Sequence, residues 1–207
     1  REFSPVAASY GQKDGWDVIG MFGVRDSGNI RQGGGTKLET DVNLFSGFFK
    51  AGYSIDDANT VKFLYQGSSN DGREPSNGSG AVSSSNPIIF KDIRDNQFAL
   101  KYAFDKSGND WLTTKAHVYY NMTSIREENI SGANAGRVQT RDFNTIGFTL
   151  DNQTKLAFGD NHRHTLSYGF EVYRDDQTGE VTNAGSRPGV PNADATNYGL
   201  YLQDEVA

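Results

Sequence analysis

The chain has 207 residues, a net charge of -6, an isoelectric point of about 5.0 and a mean hydropathy of -0.64. Without cysteine it builds neither a disulfide framework nor a thiolate metal site, and its acidity argues against a nucleic-acid partner. No apolar run approaches the roughly 20 residues of a membrane helix, which leaves open a membrane crossed by strands of about 9 to 11 residues with only alternate positions apolar.

Alternating runs are separated, in strict succession, by tight reversals and long polar connections. A short strand over residues 5–10 reverses through the turn-forming residues 11–15. The run 16–25 places Trp16, Val18, Gly20, Phe22 and Val24 on one face and Asp17, Ile19, Met21, Gly23 and Arg25 on the other, because successive side chains of an extended chain point oppositely. After a long connection at 27–40, which includes Gly33, Gly34 and Gly35, a strand over 41–53 has apolar residues of both parities; Phe45, Phe49 and Tyr53 are assigned outward. A tight turn at 54–60 leads to a strand over 60–66 with Val61, Phe63 and Tyr65 outward. A long loop at 69–92, rich in Gly, Ser and Asn, leads to a strand over 96–104 with Phe98, Leu100, Tyr102 and Phe104 outward.

A turn at 104–110 opens a strand from Trp111 that sets Ala116, Val118, Tyr120 and Met122 against Lys115, His117 and Tyr119. Beyond a loop at 128–140, the strand 141–156 turns Ile146, Phe148 and Leu150 outward. The same register exposes Asn152 and Thr154, which requires a bulge near Asp151 or a position already at the membrane interface. A turn at 158–164, a strand over 165–173 with Leu166, Tyr168, Phe170 and Val172 outward, a loop at 176–196 and a strand over 197–205 with Tyr198, Leu200 and Leu202 outward bring the count to about eight strands.

Short connections at one end and long ones at the other are the order of outer-membrane barrels. Trp16, Tyr53, Phe104, Trp111 and Phe158 collect near the short turns, as an aromatic belt would. The expected fold is all-β, an antiparallel transmembrane β-barrel, with Asp17, Arg25, Lys62, Lys101, Lys115, His117 and Glu171 facing a wet lumen. Arg31, Arg73, Glu74, Arg137 and Arg187 are candidate ligand contacts in external loops, with Arg73 and Glu74 expected to pair with each other. Two other architectures use the same residues. A soluble sandwich or barrel encloses Phe22, Phe63, Leu100, Val118 and Phe170 as its core, and a complete small barrel serves as adhesin, structural protein or narrow pore.

Catalytic and metal chemistry find little support. His117 is a lone imidazole on an inward face, and His162 and His164 read as part of a solvated turn beside Asp160 and Asn161. The neighbours Asp56 and Asp57, Glu127 and Glu128, and Asp175 and Asp176 cannot meet across a cleft, since adjacent residues in a strand point apart. No nucleophile elbow, phosphate loop or zinc-protease motif occurs. No enzyme activity, resident cofactor or metal site is expected.

Three stretches carry a resemblance to a family: GWDVIGMFGVRDSGNIRQGGG with KAGYSIDDANTVKFLYQGSSNDGREPSN, then FALKYAFDKSGNDWLTTKAHVYYN, then TNYGLYLQDEVA with Tyr201, Gln203, Asp204 and Glu205. They resemble the TonB-dependent outer-membrane receptors, and within them the branch that takes up haem or iron from host carriers. The resemblance implies a 22-stranded barrel closed by an N-terminal plug, through which the periplasmic TonB complex drives import of an iron complex or haem. By that likeness residues 1–207 correspond to a partial barrel of early to middle strands, with the plug and remaining strands outside this chain. Both ends are expected to be interruptions of a longer polypeptide. Expected partners are outer-membrane lipid, the TonB complex acting through the plug, and an extracellular iron complex, haem or haem-carrier protein. The Phe-Arg-Ala-Pro and Asn-Pro-Asp-Leu motifs of the haem branch have no match here, and no histidine falls in an expected external loop.

Overall fold

The computed structural model describes residues 2–31, 35, 37, 40–78, 82–159, 162–182, 185–186 (backbone only) and 189–206. They form β1 (Glu2–Phe3), β2 (Val6–Lys13), β3 (Trp16–Ser27), β4 (Asp41–Ser54), β5 (Asn59–Pro75), β6 (Ile88–Asp105), β7 (Thr113–Asn129), β8 (Val138–Phe158), β9 (His162–Val181), β10 (Gly185–Ser186) and β11 (Ala193–Val206). All eleven belong to one sheet, and every pairing is antiparallel. From β3 to β9 each strand pairs with its sequence neighbour. The two-residue strands β1 and β10 share β3 with β2 and β9 with β11, which accounts for most of the excess over the eight expected.

Register unites the apolar positions into continuous rows. Val18, Ala51, Phe63, Leu100, Val118, Phe148, Val172 and Tyr198 are successive cross-strand partners on one face. The row beside it, toward the short turns, is Trp16, Tyr53, Val61, Tyr102, Ala116, Leu150, Phe170 and Leu200. The two-way ambiguity of 41–53 is resolved here: Phe45, Phe49 and Tyr53 stand on this apolar face, and Leu44 and Phe48 on the other. Across the sheet the apolar band slides along the strands, from Val24 and Phe45 at one side to Leu166 and Leu202 at the other. Strands inclined to a membrane plane require that drift, because hydrogen-bond rows run across the strands and a lipid layer does not follow them.

Nothing covers this band among the described residues. Phe22 is 56% exposed, Leu100 51%, Val118 46% and Phe170 38%. A soluble sandwich would have buried these side chains between two sheets. The sheet is one layer thick, and none of its large side chains is fully buried.

The strands run further toward the long connections than alternation indicated. β5 to β9 are 17 to 21 residues long, well beyond the 9 to 11 or so that span a bilayer. Much of the expected loop at 69–92 is therefore ladder, in which Arg73 pairs with Phe90 and Glu74 with Ile89. The 128–140 loop shrinks to 130–137, and β9 continues through Val181. In this extension the face that was apolar turns polar, at Ser69, Asp71, Asp92, Arg94 and Arg126, so membrane-type alternation ends while backbone pairing continues. At the opposite end the 11–15 reversal tightens to Asp14 and Gly15, both in the left-handed region (φ 50° and 83°). His162 and His164 are already inside β9, while Asp160 and Asn161 lie outside the described residues.

Residues Asn152 and Thr154 need no bulge, since β8 and β9 stay in register from Gln139 to Phe158. Asn152 Nδ2 donates to the Tyr168 hydroxyl (2.9 Å) and the Trp111 carbonyl (3.1 Å), and its Oδ1 accepts from Thr114 (2.7 Å). Thr154 donates to the Trp111 carbonyl at 2.8 Å. These outward polar groups are satisfied beside a turn, where the sheet leaves its apolar band.

The turn at 55–58 is held by one carboxylate. Asp56 Oδ1 accepts from the amides of Ala58 (2.8 Å) and Asn59 (2.7 Å), and the Asn59 side chain donates to the same carboxylate. The Ala58 amide, followed by the Asn59 side chain, holds the Asp56 pKa below its ordinary 3.8. A carboxylate whose pKa is lowered by folding stabilises above its unfolded value and loses that contribution as pH falls through the folded one. In the intact protein, amide exchange at Ala58 and Asn59, relative to intrinsic rates, should stay slow above pH 3.8 and accelerate below it. In Asp56→Ala the protection should be lost at every pH.

Candidate functional site

The polar candidates fall on one face, and five of them on one row. Asp17, Gly52, Lys62, Lys101, His117, Thr149, Glu171 and Gly199 are consecutive cross-strand partners directly behind the apolar rows. Lys115 lies on the next row toward the short turns, opposite Asp151, and Arg25 lies on the same face toward the long connections, opposite Leu44.

The two sides of the row differ. Asp17 leans across Gly52 and pairs with Lys50 at 3.2 Å, and Arg25 pairs with Glu2 at 2.9 Å. Glu171 accepts from the Tyr119 hydroxyl at 3.0 Å, and Asp151 from the Tyr201 hydroxyl at 2.7 Å. Each of these tyrosines reaches past an intervening strand. Tyr119 on β7 crosses Gly147 on β8 to reach β9, and Tyr201 on β11 crosses Gly169 on β9 to reach β8. A Cβ on either glycine would run into the ring lying over it, so glycine is required there for close approach. Between these pairs sit Lys62, Lys101, Lys115 and His117, lining a cavity of about 300 Å3 with Thr60, Thr149 and Asp151.

Toward the long connections the candidates separate. Arg73 and Glu74 do not pair with each other: as neighbours in β5 they point to opposite faces. Glu74 instead binds Lys91 at 3.1 Å, with Glu127 at 3.5 Å from the same ammonium. Burial by itself lowers the Lys91 pKa, but the Glu74 carboxylate, with Glu127, outweighs it and holds the group above its usual value. Glu127 and Glu128 point apart as expected, Glu128 binding Arg126 at 2.6 Å on the other face. Arg31 forms an isolated bridge with Lys37, and Arg137 ends the 130–137 loop, its carbonyl accepting from Asn129. Arg187 lies outside the described residues. His164 pairs with Asp204 at 2.8 Å, and no group of three or more potential metal ligands occurs among the described residues.

Sequence parity identified the face but neither the row nor its partners. Lys50 shares the parity of Leu44 and Phe48 in the ambiguous strand, a signal that was available. Asp151 and Tyr201 are 50 positions apart, and only register joins them.

Residues 15–207 match the family described as TonB dependent receptor-like, beta-barrel. The chain belongs to this family. The chain is 31% identical over 205 residues to proteins named hemin receptor from Yersinia pestis and Yersinia enterocolitica, covering 99% of this chain and 29% of each relative. This barrel segment thus spans under a third of the length of the curated relatives it matches. Among solved structures it resembles a double mutant of the Serratia marcescens hemophore receptor HasR, in complex with its hemophore HasA and heme (TM-score 0.78, 16% identity, 98% of this chain and 28% of that one). It also resembles the copper transporter OprC (TM-score 0.70, 14% identity, 97% and 33%) and the Escherichia coli outer membrane transporter YddB (TM-score 0.69, 14% identity, 100% and 31%). At such identities these likenesses establish the fold. The family comprises transport receptors, not enzymes.

The Tyr119 crossing makes a paired prediction for the protein that carries this segment. Tyr119→Phe should lower stability by about 1.5 kcal/mol, the low end for a hydrogen bond to a charged group. Gly147→Val, which drives carbon into the Tyr119 ring, should cost about 1 to 3 kcal/mol. Denaturant unfolding of the detergent-solubilised receptor measures both.

Proposed function

We propose that this chain is part of the barrel wall of an outer-membrane receptor for energy-coupled import of haem or an iron complex. Its apolar face lies in the lipid, and its short turns lie in the periplasm. Asp17, Arg25, Lys62, Lys101, Lys115, His117 and Glu171 face the lumen. The observation that carries the reading is the single-layer sheet with one continuous apolar face and one charged face, in a chain of this family. A barrel wall between lipid and water needs that division, because the bilayer core leaves backbone groups no partner outside the ladder.

In this reading residues 1–207 are a run of barrel strands from a larger receptor. A plug elsewhere in the protein closes the lumen and takes up energy from the periplasmic TonB complex. Haem is favoured as cargo because the relatives at 31% identity are named hemin receptors. The extended strands beyond the lipid, with Arg31, Arg73 and Arg137 at or near their ends, supply the surface that meets haem or its carrier. The wall contributes binding, orientation and a hydrated route, and no covalent step is assigned to it.

Two measurements test this reading. Leu100→Arg or Phe170→Arg should destabilise the assembled receptor by about 2 to 4 kcal/mol, whereas Gln97→Arg, exposed on the opposite face, should cost below about 1 kcal/mol. Equal losses on both faces would reject the membrane assignment. A strain relying on this receptor should grow with hemin as sole iron source and stop when the gene is deleted; unchanged growth after deletion would reject haem as cargo.

A further inference from the structure

The lysine cluster of the polar face breaks a rule that the rest of that face obeys. Lys62 stands directly opposite Lys101, Lys101 directly opposite His117, and Lys115 on the adjoining row. Like charges placed directly across strands repel. Elsewhere on this face Lys50 is matched with Asp17, Arg25 with Glu2 and Lys91 with Glu74 and Glu127. Arg141, Lys155 and Arg163 stand on it without an ion pair among the described residues, but not directly opposite another cation. None of Lys62, Lys101 and Lys115 has a carboxylate within ion-pair distance among the described residues. Of the acids on the same two rows, Asp151 accepts from the Tyr201 hydroxyl and Glu171 from the Tyr119 hydroxyl. His117 Nε2 is shut off from solvent and has no hydrogen-bond partner. The three lysines and His117 surround a cavity of about 300 Å3 whose wall also carries the hydroxyls of Thr60 and Thr149 and, against the lysines, one carboxylate, Asp151.

We infer that this cavity is a carboxylate-binding site, with Lys62, Lys101 and Lys115 supplying charge and Thr60 and Thr149 supplying hydroxyl donors. Its place in the sheet narrows the source of the anion. The cluster lies behind Phe63, Leu100 and Val118, at the level of the apolar band, so a lipid phosphate at the membrane surface does not reach it. The carboxylate arrives from the polar side, either on a cargo molecule or on another part of the same receptor. Assigning that side to the lumen rests on the barrel-wall reading above. The repulsion among the ammonium groups is then offset when the carboxylate is in place, which would make occupancy depend on charge more than on shape.

The experiment compares the full receptor with the triple variant Lys62→Gln/Lys101→Gln/Lys115→Gln and its charge-preserving counterpart Lys62→Arg/Lys101→Arg/Lys115→Arg. Each is first checked for outer-membrane assembly by heat-modifiable mobility. The first arm measures initial uptake of hemin and of hemin dimethyl ester, which lacks free carboxylates. If the cargo supplies the carboxylate, the native receptor favours hemin by about tenfold, the loss of one charge-assisted hydrogen bond. The glutamine variant loses that preference and the arginine variant keeps it. The second arm measures the thermal midpoint without cargo. If the receptor supplies the carboxylate, the glutamine variant unfolds several degrees lower, the arginine variant does not, and the hemin-to-ester ratio is unchanged. A glutamine variant matching the native receptor in both arms overturns the inference. Failure to take up either compound rejects haem import instead, and the thermal arm then decides the inference.

Discussion

A backbone amide that faces hydrocarbon has no partner except the next strand. This requirement organises the whole described chain. From Trp16 to Val206 each long strand is hydrogen-bonded to its neighbours along nearly its full length, and register is kept without a bulge even at outward Asn152 and Thr154. With the backbone satisfied in the ladder, side chains are free to match the medium on either side, and the period of two gives each residue one medium. A one-residue slip would exchange Leu100 with Lys101 and Val118 with His117. The contrast between the faces therefore guards the register that produced it.

The polar face is governed by a different problem, which is how to hold charges on a surface with little cover. Exposed ion pairs contribute about 0 to 1 kcal/mol each, so pairs such as Lys50 with Asp17 matter more for local order than for stability. The tyrosine crossings are more constraining. By passing over Gly147 and Gly169, Tyr119 and Tyr201 join strands that share no backbone hydrogen bond. They also hold Glu171 and Asp151 by hydrogen bonds, and neither carboxylate comes within ion-pair distance of the neighbouring lysines. Glycine at two positions thus sets where two carboxylates of the polar face are held.

The fold says less about cargo than about architecture. HasR with its hemophore and heme, the copper transporter OprC and the transporter YddB superpose on this chain at 14–16% identity. A wall of alternating faces serves all of them, because the lipid and the ladder set it. Fold alone does not assign a ligand; the sites grafted on the wall do. In this chain the distinctive places are the lysine-lined cavity and the polar strand extensions, where the lipid constraint no longer applies.

The sequence by itself determined which residues share a face. Alternation in Trp16 to Val24, Phe98 to Phe104 and Leu166 to Val172 assigned apolar and polar parities that the structure reproduces, because a period of two is local and needs no partner strand. It also located the tight turns, through Asp, Asn and Gly. Tertiary structure alone decided what stands beside what. That Asp17, Lys62, Lys101, His117 and Glu171 occupy one row, that Tyr201 reaches Asp151, and that Arg73 and Glu74 lie in a strand instead of a loop all depend on register between segments far apart in the chain. Beyond the lipid, where the outward face becomes polar, the apolar alternation of the spanning segments stops, and only backbone pairing shows that the ladder continues.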